Sequence, residues 1–394
     1  MGMKSFISER ARGLRLSKIR EIFEIVAKME DVVRLEIGEP DFDTPANIIQ
    51  AAKDALDDGY THYTSSAGIL ELREAIGRKF ARENGITVDA ATQVVVTTGA
   101  TSALFLTIQA TVNPGEEVLL PDPGWPPYAS IVQLTGATPV LYPLLEKEGF
   151  RARAHLIEPL ITPKTKVLLI NSPSNPTGAI LDREGMEAIC QLAKKRNLLV
   201  ISDEVYERIV YEPHVHHSLA TFPGMAEQTI TVNSVSKTYA MTGWRIGFAA
   251  GPAEIIAPIP KLQLYANCHP TAAAQKACVA AYDGSESAVQ EMVKSYQLRR
   301  DYMAKNLNEL PGIKCPTPGG AFYLFPNIEG TGMDSMTFAK HLLEKGKVAS
   351  VPGDGFGPHG QGYIRLCYAQ SMEDLEKGVE RMGKVTAALA KAGS

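Results

Sequence analysis

Hydrophobic and polar positions alternate along this chain in two rhythms. Short unbroken apolar runs stand at 94–96, 118–120, 167–170, 198–201 and 229–232, with 246–250 as a further strand candidate. Around and between them, apolar residues recur every three to four positions, which predicts helices over 46–58, 69–85, 100–112 and 184–195. Short apolar strands alternating with helices indicate an α/β fold with a mostly parallel sheet covered on both faces. Ahead of this block a helix is expected, with Ser17 as its N-cap and Ile19, Ile22, Phe23 and Val26 on one face. An extended stretch over 32–37 then runs into Gly38-Glu-Pro-Asp-Phe-Asp-Thr-Pro45, a loop punctuated by glycine and proline.

Beyond about residue 285 the pattern changes. A charged helical stretch (286–309) is followed by a Pro/Gly-rich segment, a helix (335–345), a strand (363–367) and a terminal helix (371–390). The expected division is an N-terminal arm over 1–45, a large domain over 46–285 and a smaller α+β domain over 286–394. The chemically distinctive residues share one position in this scheme. Gly99, Trp125, Asn175, Asp203 and Lys237 each follow the C-terminal end of an apolar run. Ligands of open α/β sheets bind outside the carboxyl ends of parallel strands, so the five segments are expected to meet in one crevice.

The sharpest chemistry lies in Thr231-Val-Asn-Ser-Val-Ser-Lys-Thr-Tyr-Ala-Met-Thr-Gly-Trp-Arg245. An amine at Lys237 can form an imine with an aldehyde cofactor, while Ser234, Ser236 and Arg245 supply donors for a phosphate. Taken alone, Lys237 reads as a surface lysine, Asp203 as a helix cap and Asn175 as a turn residue. Together with their neighbours they read differently. The neighbours are Ser202-Asp-Glu-Val-Tyr206, Asn171-Ser-Pro-Ser-Asn-Pro-Thr-Gly178, Thr98-Gly-Ala-Thr-Ser102, Asp122-Pro-Gly-Trp-Pro-Pro-Tyr128 and Tyr363-Ile-Arg-Leu-Cys-Tyr-Ala369.

These segments resemble the fold-type I, class I/II pyridoxal 5′-phosphate (PLP) aminotransferases. The likeness runs from Gly38 to Arg365 and is strongest to bacterial and archaeal enzymes of aspartate and aromatic amino acids. It implies a seven-stranded, mostly parallel sheet between helices, with a smaller domain built from both chain ends. It implies that Lys237 holds the cofactor as a Schiff base and moves the substrate proton. Asp203 would face the pyridine nitrogen, with Tyr206 reaching the same ring, and Asn175 would donate to the phenolic oxygen. Gly99, Ala100 and Thr101 would cradle the phosphate with Ser234, Ser236 and Arg245, and Trp125 would stack on the ring. Arg365 would clamp the substrate α-carboxylate, with Gly38 closing over it, and Trp125 and Asn175 would also meet the substrate. Tyr63 matches a tyrosine that reaches the phosphate of the neighbouring subunit, which implies a homodimer.

The implied reaction transfers nitrogen from an L-amino acid to a 2-oxo acid, expected to be 2-oxoglutarate. Aspartate-specific relatives often carry a lysine where Thr101 stands, which leaves room for aromatic or other neutral donors. Two other readings share the motifs: a C–S β-lyase on the same scaffold, and a non-enzymatic PLP-sensing regulator domain. Turnover of a cysteine conjugate without a 2-oxo acid would mark the first, and a fused DNA-binding segment the second.

Bulk properties narrow the partners. The formal net charge is −4 and the pI about 6.1, which gives nucleic acid and acidic membranes no electrostatic footprint. No apolar run is long enough to span a bilayer, and the charged N-terminus does not read as a signal peptide. Phe6 stands where an acylation signal at Gly2 needs a hydroxyl. The five cysteines are scattered, as expected of reduced thiols in a cytoplasm. The histidines of His214-Val-His-His217 are expected in a solvated loop, with no acidic or cysteine partners at ligand spacing and no metal. Gly353-Asp-Gly-Phe-Gly357 does not open a βαβ unit, so it is not read as a dinucleotide loop.

Overall fold

Every apolar run named above becomes a strand of one sheet in the computed structural model, which describes residues 6–14 and 18–392. Ser17 lies outside the described residues. In chain order the strands are β1 (Val33–Arg34), β2 (Val94–Thr97), β3 (Glu117–Asp122), β4 (Thr138–Pro143), β5 (Thr165–Asn171) and β6 (Leu199–Asp203). They continue with β7 (Thr229–Ser234), β8 (Gly247–Ala250), β9 (Tyr323–Leu324), β10 (Val348–Ala349), β11 (Val351–Pro352) and β12 (Ile364–Cys367). The main sheet has seven strands in the order β2-β8-β7-β6-β5-β3-β4. Only β8 runs against its neighbours; the others point the same way.

The period of two along a strand explains why the apolar runs are unbroken. Val118 and Leu120 of β3, with Val167 and Leu169 of β5, pack into the core that holds the helix Gly99–Thr111. Their neighbours Leu119, Leu168 and Ile170 face the other way, onto the helix Arg183–Arg196. Both faces are dry, so polar alternation is absent. The seventh strand, β4, has no apolar run to reveal it. It is a half-exposed edge strand carrying Pro139 and Pro143, residues tolerated at a sheet edge because the ladder there needs fewer donors.

Helix limits follow the expected ones closely. The stretch 69–85 is regular only over Leu70–Lys79, then widens over Phe80–Asn84 and stops at Gly85, whose φ of +69° suits a residue without a Cβ. The helix Lys18–Val26 buries Ile22 and Val26 against Ala339, Leu343 and Ala349. The start and end of the chain are stitched together: β1 pairs in parallel with β10, and Cys367 N–H of β12 donates to Leu35 at 2.7 Å. β9, β11 and β12 form a separate antiparallel sheet.

Candidate active site

The carboxyl ends of β3, β5, β6 and β7 open on a cavity of about 710 Å³. It is lined by Trp125, Asn175, Asp203, Lys237 and Arg365, among others. Gly38, Ala100, Thr101, Tyr206, Ser234, Ser236 and Arg245 also reach it. The crevice inferred from strand ends is therefore one physical space. Tyr63 does not line it; the residue is 89% exposed and its ring stands edge-on to His269 at 5.6 Å.

Lys237 lies on the single helical turn Val235–Thr238 that follows β7. Its Nζ donates to the Gly38 carbonyl at 2.6 Å and stands 5.8 Å above the Phe322 ring. Burial disfavours the ammonium form and lowers its pKa to about 8, with Arg365 and Arg245 adding repulsion. A neutral amine is thus accessible near neutral pH, as a nucleophile or a base requires.

Asp203 ends β6 and is buried. Its Oδ2 accepts a hydrogen bond from the Tyr128 hydroxyl at 2.6 Å, and Oδ1 accepts a longer one, 3.3 Å, from Val205 N–H. Desolvation pushes its carboxyl up to about 6 despite those two donors. A buried carboxylate kept that far above its usual range is underpaid electrostatically, and a cationic ring nitrogen would relieve it. Tyr128 was missed in the sequence. Its signal was its place three residues after Trp125: Trp125 stands just before the helix Pro127–Leu134 and Tyr128 lies in its first turn, with ring centroids 5.2 Å apart.

Arg365, on β12, donates from Nη1 to Asn175 Oδ1 at 3.1 Å and from Nη2 to the Glu36 carbonyl at 2.6 Å. Its guanidinium is 4.6 Å from the Tyr323 ring centroid and 5.0 Å from that of Phe356. Its buried Nε has no partner among the described residues. Because Asn175 spends its carbonyl on Arg365, the donor half of its amide is the half available to a ligand. Tyr323 also had no sequence-level assignment. Its hydroxyl is 2.7 Å from that of Tyr206, and a Cβ at Gly38 would strike it, so the glycine is fixed by close approach. Burial raises the pKa of both tyrosines, so they stand as neutral phenols.

The anion end is built from backbone. Gly99 opens the helix Gly99–Thr111 with φ +79°, and any Cβ there would collide with the Arg245 guanidinium. Arg245 itself has φ +57° and donates to Thr242 O at 2.8 Å. Ser234 donates to Ile246 O at 2.8 Å and accepts from Ser236 N–H, so much of its capacity is spent internally. The Ser236 hydroxyl lies 2.7 Å from that of Ser234. A helix N-terminus, a guanidinium and the Ser236 hydroxyl around a space closed to side chains suit a phosphate. Together with the orphaned Arg365 N–H and the strained Asp203 carboxyl, these residues fit pyridoxal phosphate.

One expectation is corrected. His216 is not in a solvated loop: its Nε2 lies 3.0 Å from the buried Glu204, beside Glu207. Folding supplied acidic neighbours that ligand spacing along the sequence did not show. The two carboxylates of that cluster are matched, since Glu204 also accepts from Ser202 and Ser218, and Glu207 accepts from Lys79 and Asn84, while His216 Nδ1 has no partner among the described residues.

Comparison with known proteins gives the family. Residues 30–382 match the family model for aminotransferase class I and II. An aspartate aminotransferase of Pyrococcus abyssi is 45% identical over 96% of this chain and 98% of its own length. Aromatic-amino-acid aminotransferase 2 of Thermococcus litoralis is 42% identical over 96% of this chain and 98% of its own length. The crystal structure of an aromatic aminotransferase from Pyrococcus horikoshii superposes with a TM-score of 0.89, at 45% identity, over 94% of this chain and 99% of that one. The match over most of the chain settles the family: the chain belongs to the class I and II aminotransferases and is a PLP-dependent transaminase.

Proposed function

We propose that this transaminase takes nitrogen from aspartate, an aromatic amino acid or a similar L-amino acid and gives it to 2-oxoglutarate. The names of the relatives support this donor range. One observation carries the assignment of roles: the amine of Lys237, the carboxyl of Asp203 and the guanidinium of Arg365 open on the same buried cavity. When bound, PLP supplies an aldehyde for the amino group and a ring that draws electrons from the substrate α-carbon.

The protein's own groups do the rest. Arg365 binds the α-carboxylate and so fixes the α-carbon, with Gly38 at the closing wall. Lys237 Nζ, whose pKa is lowered to about 8 so that its neutral form is within reach, takes the α-proton and returns it on the opposite leg. Asp203, held by Tyr128, keeps negative charge at the ring nitrogen, and Tyr206 and Asn175 address the ring's oxygen side. Trp125 covers the ring face and helps exclude water. Gly99, Ala100, Thr101, Ser234, Ser236 and Arg245 hold the phosphate.

We also read the chain as a cytoplasmic homodimer. Tyr63 and Tyr265, each 89% exposed, are large aromatics that this chain alone leaves in water, and Tyr63 would reach the neighbouring phosphate. All five cysteines are free, four of them buried. Residues 46–285 would form the cofactor-holding unit, and 286–394 with 1–45 the smaller one. The test incubates the enzyme with single amino acids and 2-oxoglutarate and follows donor depletion and glutamate formation. Glutamate formation from aspartate or an aromatic donor is expected. Its absence with every donor, or its persistence in Lys237→Ala, would overturn the assignment.

A further inference from the structure

Two residues shortly after Lys237 hold a backbone conformation that side chains usually avoid. Ala240 has φ +50° and Arg245 has φ +57°, and between them lies one tight turn, Thr242–Trp244. Neither is a glycine, and the left-handed region crowds a Cβ against the carbonyl oxygen. Such residues persist where their surroundings over-determine them. Arg245 has an evident use for its pose: its guanidinium stands against Gly99, at the start of the helix Gly99–Thr111.

The surroundings come from the strip that links β1 to the helix Ala46–Asp57. The Thr44 hydroxyl donates to the Ala240 carbonyl at 2.7 Å and accepts from the Trp244 indole Nε1–H at 3.0 Å. Trp244 directly precedes Arg245. One hydroxyl therefore grips both left-handed residues, the first at its own carbonyl and the second through its neighbour. Both its donor and its acceptor capacity are in use. Thr242 of the same turn donates to Glu39 of the same strip. The turn's own bonds are local: Trp244 N–H donates to the Met241 carbonyl at 3.2 Å, and Arg245 Nη1 to the Thr242 carbonyl at 2.8 Å. Those bonds travel with the turn, whereas the bonds to Thr44 and Glu39 tie it across 196 to 203 positions of chain. Thr44 is itself stiff, since Pro45 confines it to extended backbone and its branched Cβ narrows χ1.

Resting on the reading of Arg245 as a phosphate ligand, we propose that Thr44 is a positioning residue: its hydroxyl clasps the 240–245 turn so that Arg245 meets the cofactor's phosphate already in place. A guanidinium held in its bound pose loses less freedom on binding, so the clasp is felt as affinity for the phosphate. Lys237 lies on the preceding turn, Val235–Thr238, and its nitrogen bonds to Gly38. Its reaction with an aldehyde is therefore expected to be indifferent to Thr44.

The test measures, by visible absorbance, the dissociation constants of PLP and of pyridoxal, which lacks the phosphate, for the stripped full-length protein. Effects on Lys237 cancel in the ratio of the two affinities. Thr44→Val keeps the shape and loses both bonds, Thr44→Ser keeps the bonds, Trp244→Phe removes the indole donor, and Arg245→Ala sets the scale. Arg245→Ala is expected to lower the PLP-over-pyridoxal ratio about fiftyfold, as the loss of a charge-assisted bond should. Thr44→Val is expected to lower it by about threefold or more, with Thr44→Ser within about twofold of wild type.

A smaller fall in Thr44→Val, or a Thr44→Ser as weak as Thr44→Val, overturns the proposal and leaves Arg245 its role. An equal loss of both ligands counts the same way, because it marks general damage to the fold. If Thr44→Val does not fold, Trp244→Phe decides on the same threshold. An unchanged ratio in Arg245→Ala would instead fell the phosphate reading, and Thr44 with it.

Discussion

Replacing Asp203 by asparagine should stabilise the cofactor-free protein at pH 8 while crippling the holoenzyme. Burial holds this carboxyl at about 6 in the fold against 3.8 in the unfolded chain. Between those values the folded protein keeps a proton that the unfolded chain has released. Stability therefore falls as pH rises through this window, and the loss is complete above about pH 6. At about 1.4 kcal/mol per pH unit, the interval corresponds to about 3 kcal/mol. Asparagine carries no charge to desolvate, and its oxygen still accepts from Tyr128. It gives up the 3.3 Å acceptor for Val205 N–H, a loss of about 1 kcal/mol. The net gain is about 2 kcal/mol at pH 8, and it should shrink and reverse towards pH 4. Urea melts of both cofactor-free proteins at pH 4, 6 and 8, at one protein concentration, measure it. Turnover of the reloaded variant should drop about 100-fold or more, since a preorganised charge facing the ring is gone. A pH-independent stability difference, or a less stable variant at pH 8, would refute the account of Asp203 as an underpaid carboxylate.

Further outcomes follow from the same contacts. Cofactor uptake by the stripped protein should quicken with rising pH, half-maximally near 8, because the neutral form of Lys237 reacts; stopped-flow absorbance reads this, and a flat profile between pH 7 and 9 contradicts the lowered pKa. Arg365→Lys should raise the KM for amino-acid donors about 100-fold, because a point charge cannot reproduce the planar pair of bonds; steady-state kinetics tests it. Gly38→Ala should lower kcat/KM at least tenfold by driving a methyl into the Tyr323 hydroxyl, and adding Tyr323→Phe should recover part of the loss. His359→Ala should raise KM more than it lowers kcat. The 2.7 Å bond from His359 to the buried Asp122 helps hold the Phe356 loop, whose carbonyl accepts from Gly124 N–H at 2.9 Å.

The sequence revealed those parts of the molecule where local pattern and global role coincide. The core strands β2, β3, β5, β6 and β7 announce themselves because both of their faces are dry. The residues just past their ends inherit a known location, which is how Asn175, Asp203 and Lys237 could be brought together on paper. β4 was silent because an edge strand needs neither apolar continuity nor freedom from proline. Tyr128 and Tyr323 were visible as letters but not as partners, since what matters is a hydroxyl meeting Asp203 or Tyr206 across 75 and 117 residues of chain. Thr44 and His216 were illegible for the same reason: each looks like an ordinary polar residue until distant segments close over it.

The bond from Lys237 to Gly38 ties the turn after β7 to the strip of chain just past β1. It spans 199 positions of sequence and is the only hydrogen bond of that nitrogen among the described residues. Once the nitrogen is committed elsewhere, the Gly38 carbonyl on the cavity wall needs another partner, and a bond left unmade there costs about 1–3 kcal/mol. Loading the enzyme and loosening the strip of chain just past β1 are thus two ends of one lever.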